Sequence, residues 1–176
     1  MENCNIIMDD KAISRAVTRI SFEIIEKFKG TEDIVILGIL KKGGVLADRI
    51  AEKMSDIERT QVLKAYIDVT NYRDDIEEKN KSEKTFSTNI SVQNKIIVLV
   101  DDVLYTGRTV RAAIDAIMDV GRPKVIALAA LIDRGHRELP IRPDFVGKNL
   151  PTSRQEKVKV NFYEFDGKEN VEIIKR

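Results

Sequence analysis

Residues 96–110 read IIVLVDDVLYTGRTV. Five apolar residues, Ile96 to Val100, run directly into two adjacent carboxylates, Asp101 and Asp102. The string Thr106-Gly107-Arg108-Thr109 follows, and then Val110, Ala113, Ile114 and Ile117 recur at helical spacing over 108–119. An unbroken apolar run bounded by polar residues is the pattern of a strand covered on both faces. In parallel α/β sheets ligands collect outside the carboxyl ends of the strands. The stretch therefore sets two acids at such an end and a small-residue loop between them and a helix.

That loop suits an anion. The first turn of a helix has backbone N–H groups without partners, and the helix dipole favours negative charge there. The backbone from Val103 through Leu104 and Tyr105 leads into it. Thr106 and Thr109 add hydroxyl donors, and Gly107 lets the main chain approach closely. Arg108 adds positive charge or turns to solvent. The acids call for a different group, because ionised carboxylates only accept and a pair of ribose hydroxyls donates. A sugar phosphate satisfies both halves, with magnesium nearby through water or substrate oxygens. Either piece alone reads as a capped turn; their order after a buried strand is what carries the functional reading.

Working outward, residues 9–29 read as an amphipathic helix through Ile13, Ala16, Val17, Ile20, Ile24 and Phe28, with Asp9 or Asp10 to cap it and Gly30 to end it. Ile34 to Leu40 reads as a buried strand. A glycine turn and a helix from about Leu46 to Met54 follow, then strands at Val62 to Val69 and Lys124 to Ile132. After Pro140 the pattern weakens to one late strand at Val158 to Phe162. Asn71 to Asn94 is long, charged and aperiodic, which suits a lid, a binding segment or a hairpin. The alternation predicts one α/β domain over 1–176, a mainly parallel sheet flanked by helices.

Composition limits the function classes. Of 176 residues, 43% are hydrophobic and 34% charged, as in a folded soluble protein. A formal net charge of +1 excludes a uniformly basic coat but leaves room for a local basic face. No apolar run approaches a membrane span, and MENCNIIMDDK lacks the pattern of a signal peptide. Cys4 is the only cysteine and His136 the only histidine, so an internal disulfide and a Cys/His zinc site are excluded, and a reducing cytoplasm is expected. Gly38 to Gly43 satisfies the first half of a Walker loop. Gly44 and Val45 then stand where Lys and Ser/Thr are required, so an NTPase loop is rejected.

Longer strings carry a resemblance. VDDVLYTGRTVRAAIDAIMDVGRPKVI and LIDRGHRELPIRPDFVGKNLPTS, with Val17-Thr18-Arg19-Ile20 and DVTNYRDD at 68–75, resemble type I phosphoribosyltransferases. Within that group they are similar to the bifunctional pyrimidine-operon attenuation regulator and uracil phosphoribosyltransferase family. The similarity spans nearly the whole chain and is most specific over 96–154.

The resemblance implies a type I phosphoribosyltransferase fold with a flexible hood. It implies transfer of a phosphoribosyl group from 5-phosphoribosyl 1-diphosphate (PRPP), with Mg2+, to uracil, giving UMP and diphosphate. Asp101 and Asp102 would hold the ribose hydroxyls beside the reacting carbon, residues 103–109 the ribose phosphate, and Lys41, Lys42 and Gly43 the diphosphate, with Arg73 of the hood near that diphosphate. Relatives usually have Thr-Arg where Lys41-Lys42 stands, and lysine meets phosphate as a point charge rather than a fork. Uracil would be read around 133–137, with Arg134 the side-chain candidate.

The resemblance further implies binding of pyrimidine-operon leader mRNA, biased by UMP or UTP, through Thr18, Arg19, His136, Arg137, Arg142, Lys148, Arg154 and Lys157 on a homodimer or homotetramer. Phe22 stands where relatives often have histidine, either to stack on a base or as core. Competing readings are a plain salvage phosphoribosyltransferase, an RNA regulator with an inactive transferase site, and a phosphoacceptor receiver domain. The last places its acids after its first strand, whereas Asp101 and Asp102 lie mid-chain.

Overall fold

A computed structural model describes residues 3–74, 85–87 and 89–175. Its larger sheet has five parallel strands in the order β3 (Leu63–Ile67), β2 (Ile34–Ile39), β4 (Ile96–Leu104), β5 (Val125–Asp133) and β6 (Phe145–Asn149). A smaller antiparallel sheet has the order β1 (Asn3–Asp9), β8 (Asn170–Lys175) and β7 (Glu156–Asn161). Helices α1 (Asp10–Phe28) and α2 (Lys42–Glu58) lie between the two sheets, and α3 (Arg108–Val120) covers the other face of the large one. A short α4 (Tyr163–Asp166) joins β7 to β8.

The central strands open on unbroken apolar runs, 34–37, 96–100 and 125–132, because both faces are covered. Ile34, Ile36, Val98, Val100, Ala127 and Ala129 pack toward α1 and α2. Their neighbours Val35, Leu37, Ile97, Leu99, Leu128 and Ala130 pack toward Val110, Ala113 and Ile117 of α3. This is the two-sided burial expected of a parallel sheet.

Several expectations need correction. The helix over 9–29 forms, with the Asp9 side chain accepting the Ala12 N–H at 2.7 Å. Its left-handed terminating residue is Lys29 at φ 56°, one before Gly30. The second helix starts at Lys42 rather than near Leu46, so Gly43 and Gly44 belong to its first turn and not to a loop. The reason is proximity: a Cβ on Gly43 would lie 2.5 Å from the Val100 carbonyl oxygen. β4 runs on through both acids to Leu104 instead of stopping at Val100. The strands β1, β6 and β8 were not anticipated, and β7 begins two residues before the expected start at Val158.

The centre of the charged segment, including Asp75, lies outside the described residues. Its two feet are described. Asp68 N–H donates to Thr85 O at 2.8 Å and Ser87 N–H to Tyr66 O at 3.0 Å, which lays the returning arm antiparallel along the end of β3. On the outgoing side, Tyr72 donates to Asp119 of α3 at 2.9 Å. No described helix is long and apolar enough to cross a membrane.

Candidate active site

The carboxyl ends of β2, β4 and β5 open together, and a cleft of about 360 Å³ lies there. It is lined by residues 103–110 with Arg73, Asp101 and Glu138. Gly107 makes the turn from β4 into α3 at φ 93°, a conformation that L side chains rarely adopt. It brings no side chain to cap the helix, so the first turn keeps N–H donors for a ligand. The loop is braced from behind: Thr106 O accepts the N–H groups of Glu138 and Leu139 at 3.0 and 3.3 Å. Thr106 Oγ1 in turn accepts the Arg108 N–H at 3.3 Å.

The acids sit at the inner end. Asp101 is only 8% exposed, and its Oδ1 accepts the Asp102 N–H at 3.0 Å. Burial pushes the Asp101 carboxyl well above the usual range, the neighbouring Asp102 charge adds to this, and Arg73 opposes it. Burial raises Asp102 as well, against the hydrogen bond from Asp101 and the charge of Lys42. The pair therefore resists carrying two charges until cations or donors arrive. Asp101, Arg73 and residues 103–109 all line one cleft; Asp102 stands next to Asp101 on β4 and is less buried.

The glycine loop after β2 is placed differently from its sequence reading. Lys41 is exposed and the Leu40–Lys41 peptide is cis. Lys42 turns to the small sheet, pairing with Asp166 at 2.8 Å and donating to Val160 O. Gly43 is buried against Val100.

Arg134 is 7% exposed and acts as a strut. It donates to Thr152 Oγ1 at 3.2 Å and Glu156 O at 2.7 Å, and stacks on Tyr105 at 4.0 Å. It borders a second hollow of about 720 Å³ beside the cleft, shared with Tyr105 and residues 154–157.

The expected RNA residues divide. Arg137 is held by Ile141 O and Tyr105 O, each at 2.8 Å, and by Asp133 at 2.6 Å, so it braces the loop that follows β4. His136 Nε2 faces Thr152 O. Arg154 and Lys157 border the hollow beside the cleft. Arg19 and Lys148 line a separate groove of about 320 Å³ between α1 and β6, joined by Arg15, which the sequence reading missed. Arg19 also donates to Val146 O and Gly147 O at 3.1 and 2.6 Å. Thr18, partly exposed on the same helix, donates to Ser14 O at 3.0 Å. Arg142 is exposed, and Phe22 is 53% exposed, hence not core. Glu138 was also missed, since nothing in its sequence neighbourhood marks it as part of an anion cleft.

Known proteins bear on this geometry. Residues 4–163 match the family described as the phosphoribosyl transferase domain. Bifunctional protein PyrR of Clostridium botulinum (strain Alaska E43 / Type E3) is 55% identical over 175 residues, covering 98% of this chain and 97% of the relative. The protein of the same name from Acetivibrio thermocellus is 58% identical over 163 residues, covering 92% and 89%. Among solved structures, a hypoxanthine phosphoribosyltransferase from Staphylococcus aureus superposes with a TM-score of 0.74 at 18% identity, over 97% of this chain and 92% of that one. A hypoxanthine-guanine phosphoribosyltransferase from Bacillus anthracis gives 0.73 at 17% identity, over 99% and 100%. With a strand-end acid pair, a glycine-turned phosphate loop and this similarity along nearly its whole length, the chain belongs to the PyrR family of type I phosphoribosyltransferases.

Proposed function

We propose that the protein is a uracil-nucleotide-dependent RNA-binding regulator of pyrimidine genes that also transfers the phosphoribosyl group of PRPP to uracil, releasing UMP and diphosphate. The observation that carries the transferase half is the shared cleft: buried Asp101 at one end, with Asp102 next to it on β4, and the N-terminus of α3 at the other. The ribose hydroxyls donate to Asp101 and Asp102, and the 5′-phosphate takes the donors of residues 105–109. As diphosphate departs, positive charge grows on the anomeric carbon. Asp102 lies beside the site of that charge, and Arg73 at the cleft wall meets the departing anion. Catalysis is then positioning and electrostatics, without a covalent nucleophile.

Among the described residues no group of three or more acidic, His or Cys side chains could hold a metal ion. Magnesium would enter on PRPP, held through the substrate's own oxygens and water, with Asp101 and Asp102 as neighbouring carboxylates. When bound, it neutralises the leaving diphosphate. Lys41, exposed after β2, is the side chain of that loop placed for the diphosphate, and Gly43 lets the loop approach β4. Uracil is assigned to residues 133–137 at the carboxyl end of β5, read partly through main-chain groups, where Asp133, Arg134, Gly135 and His136 line a hollow of about 350 Å³.

Leader RNA is assigned to the groove of Arg15, Arg19 and Lys148, with Thr18 and the exposed Phe22 on the same helix as the two arginines, and Arg142 as a separate exposed cation. Phosphate contacts would supply affinity and unpaired bases specificity. UMP or UTP in the cleft biases RNA affinity, and by linkage RNA tightens the nucleotide equally. A homodimer or homotetramer in the cytoplasm completes the reading.

The test is direct. Protein, magnesium, PRPP and labelled uracil are incubated and UMP is measured, alongside filter binding of pyrimidine-operon leader RNA at moderate salt with and without UMP. Asp102→Asn lowers kcat by about a hundredfold or more while the melting temperature holds. Wild-type turnover in that variant would refute the assignment of the acids, and RNA affinity indifferent to UMP would refute the regulatory half.

A further inference from the structure

The cleft assigned to the ribose phosphate contains an acid that anion binding does not call for. Glu138 lines it, with its carboxylate 2.6 Å from Arg108 Nε. Arg108 is the cationic side chain that the phosphate loop itself supplies. Its other side meets Asp74, 2.8 Å from Nη1, and Asp74 also takes Arg111 at 3.2 Å. Two carboxylates therefore engage the loop's guanidinium. A phosphoryl dianion entering the first turn of α3 finds N–H and hydroxyl donors, an arginine whose charge is already balanced, and a carboxylate beside it.

The carboxylate is not what braces the loop. The main-chain N–H of Glu138, with that of Leu139, holds Thr106 O from behind. Side chain and backbone of one residue thus act in opposite senses: the backbone shapes the phosphate cradle, and the carboxylate weakens its grip. Asp74 stands at the foot of the charged segment and divides its charge between two arginines, whereas Glu138 is itself part of the cleft wall.

We propose that Glu138 sets the affinity of the cleft, holding its grip on 5′-phosphate esters below what the surrounding donors would otherwise give. The inference rests on the assignment of the cleft to the ribose 5-phosphate half of the substrate. For the transferase, such a carboxylate speeds departure of UMP. For the regulator, it raises the nucleotide concentration at which the cleft fills, so that occupancy follows concentration instead of saturating early.

The experiment is calorimetric titration of the full chain with ribose 5-phosphate at low and high potassium chloride. Wild type, Glu138→Gln, Glu138→Asp and Thr109→Val are compared, with thermal melts to establish folding. Glu138→Gln binds roughly three- to fivefold tighter at low salt, the size of effect one partly exposed charge produces. The gain shrinks at high salt, Glu138→Asp stays near wild type, and the KM for PRPP falls in proportion. Thr109→Val weakens binding and reports on the site itself. If Thr109→Val weakens binding while Glu138→Gln binds no tighter, or gains affinity independently of salt, the site stands and this inference falls. If wild type does not bind ribose 5-phosphate, the assignment of the cleft falls and takes this inference with it.

Discussion

At the buried end of β4, burial and the neighbouring Asp102 charge disfavour ionisation of Asp101, and the fold keeps the pair despite that. Because burial and Asp102 hold the Asp101 carboxyl above its usual range, the folded state binds that proton more tightly than the unfolded chain does. The contribution of Asp101 to stability is therefore most favourable in acid and is lost as pH rises through the raised value. At neutral pH the group opposes folding. Asp101→Asn is expected to raise stability by about 1 kcal/mol, or about 2–4 °C in melting temperature, at pH 7 and not at pH 4, while transferase activity drops. Melts at the two pH values check this; a variant less stable at pH 7 would contradict it. Residue identity at this site was legible because the acids, the glycine and the threonines act where they stand in the chain. Lys42, Arg134 and Arg137 were not, since their occupations depend on Asp166, Glu156 and Tyr105, partners that only the fold brings near.

At the scale of elements, α2 shows how a local rule yields to a tertiary one. Gly43 and Gly44 read as a turn, yet they open a helix, and at Gly43 only hydrogen fits between that helix and β4. A Cβ at Gly38 would likewise lie 2.7 Å from Gly43 O. Gly43→Ala is expected to cost about 2–3 kcal/mol, against the gain an alanine usually brings inside a helix. Urea unfolding measures this, and an unchanged midpoint would mean that α2 seats more loosely than described. The apolar strands β2, β4 and β5 and the amphipathic α1 and α3 were legible through their periodicity. The strands β1, β6 and β8 were not, because polar residues such as Asn3, Lys148, Asn149 and Lys175 interrupt their apolar pattern.

For the whole molecule, the question is what joins the two sheets. An apolar seam does part of it, with Val158, Val160, Phe162 and Val171 buried in the same core as Ile20 and Ile50. Arg49 does another part. It reaches Glu169 at 2.5 and 2.9 Å and Glu164 at 3.2 Å, and lies over the Phe162 ring at 4.8 Å. Glu169 is itself nearly buried, so Arg49→Met would leave a carboxylate without its partner and is expected to cost about 2 kcal/mol. Hydrogen exchange should locate the loss in β7 and β8 before β4. Uniform loss across both sheets would mean that the pair stabilises the molecule without belonging to the joint.

Lys42 and Arg49 stand seven positions apart on α2, two turns of one helix, and both reach toward the segment around α4. The rod whose leading end abuts the strand-end acids is thus riveted lengthwise to the small sheet. A nudge received by Lys41 or Lys42 has little slack in which to dissipate: it tilts a stiff member, and the plate fixed to that member tilts too. β1, at the far side of that plate, continues without a break into α1 and its arginines.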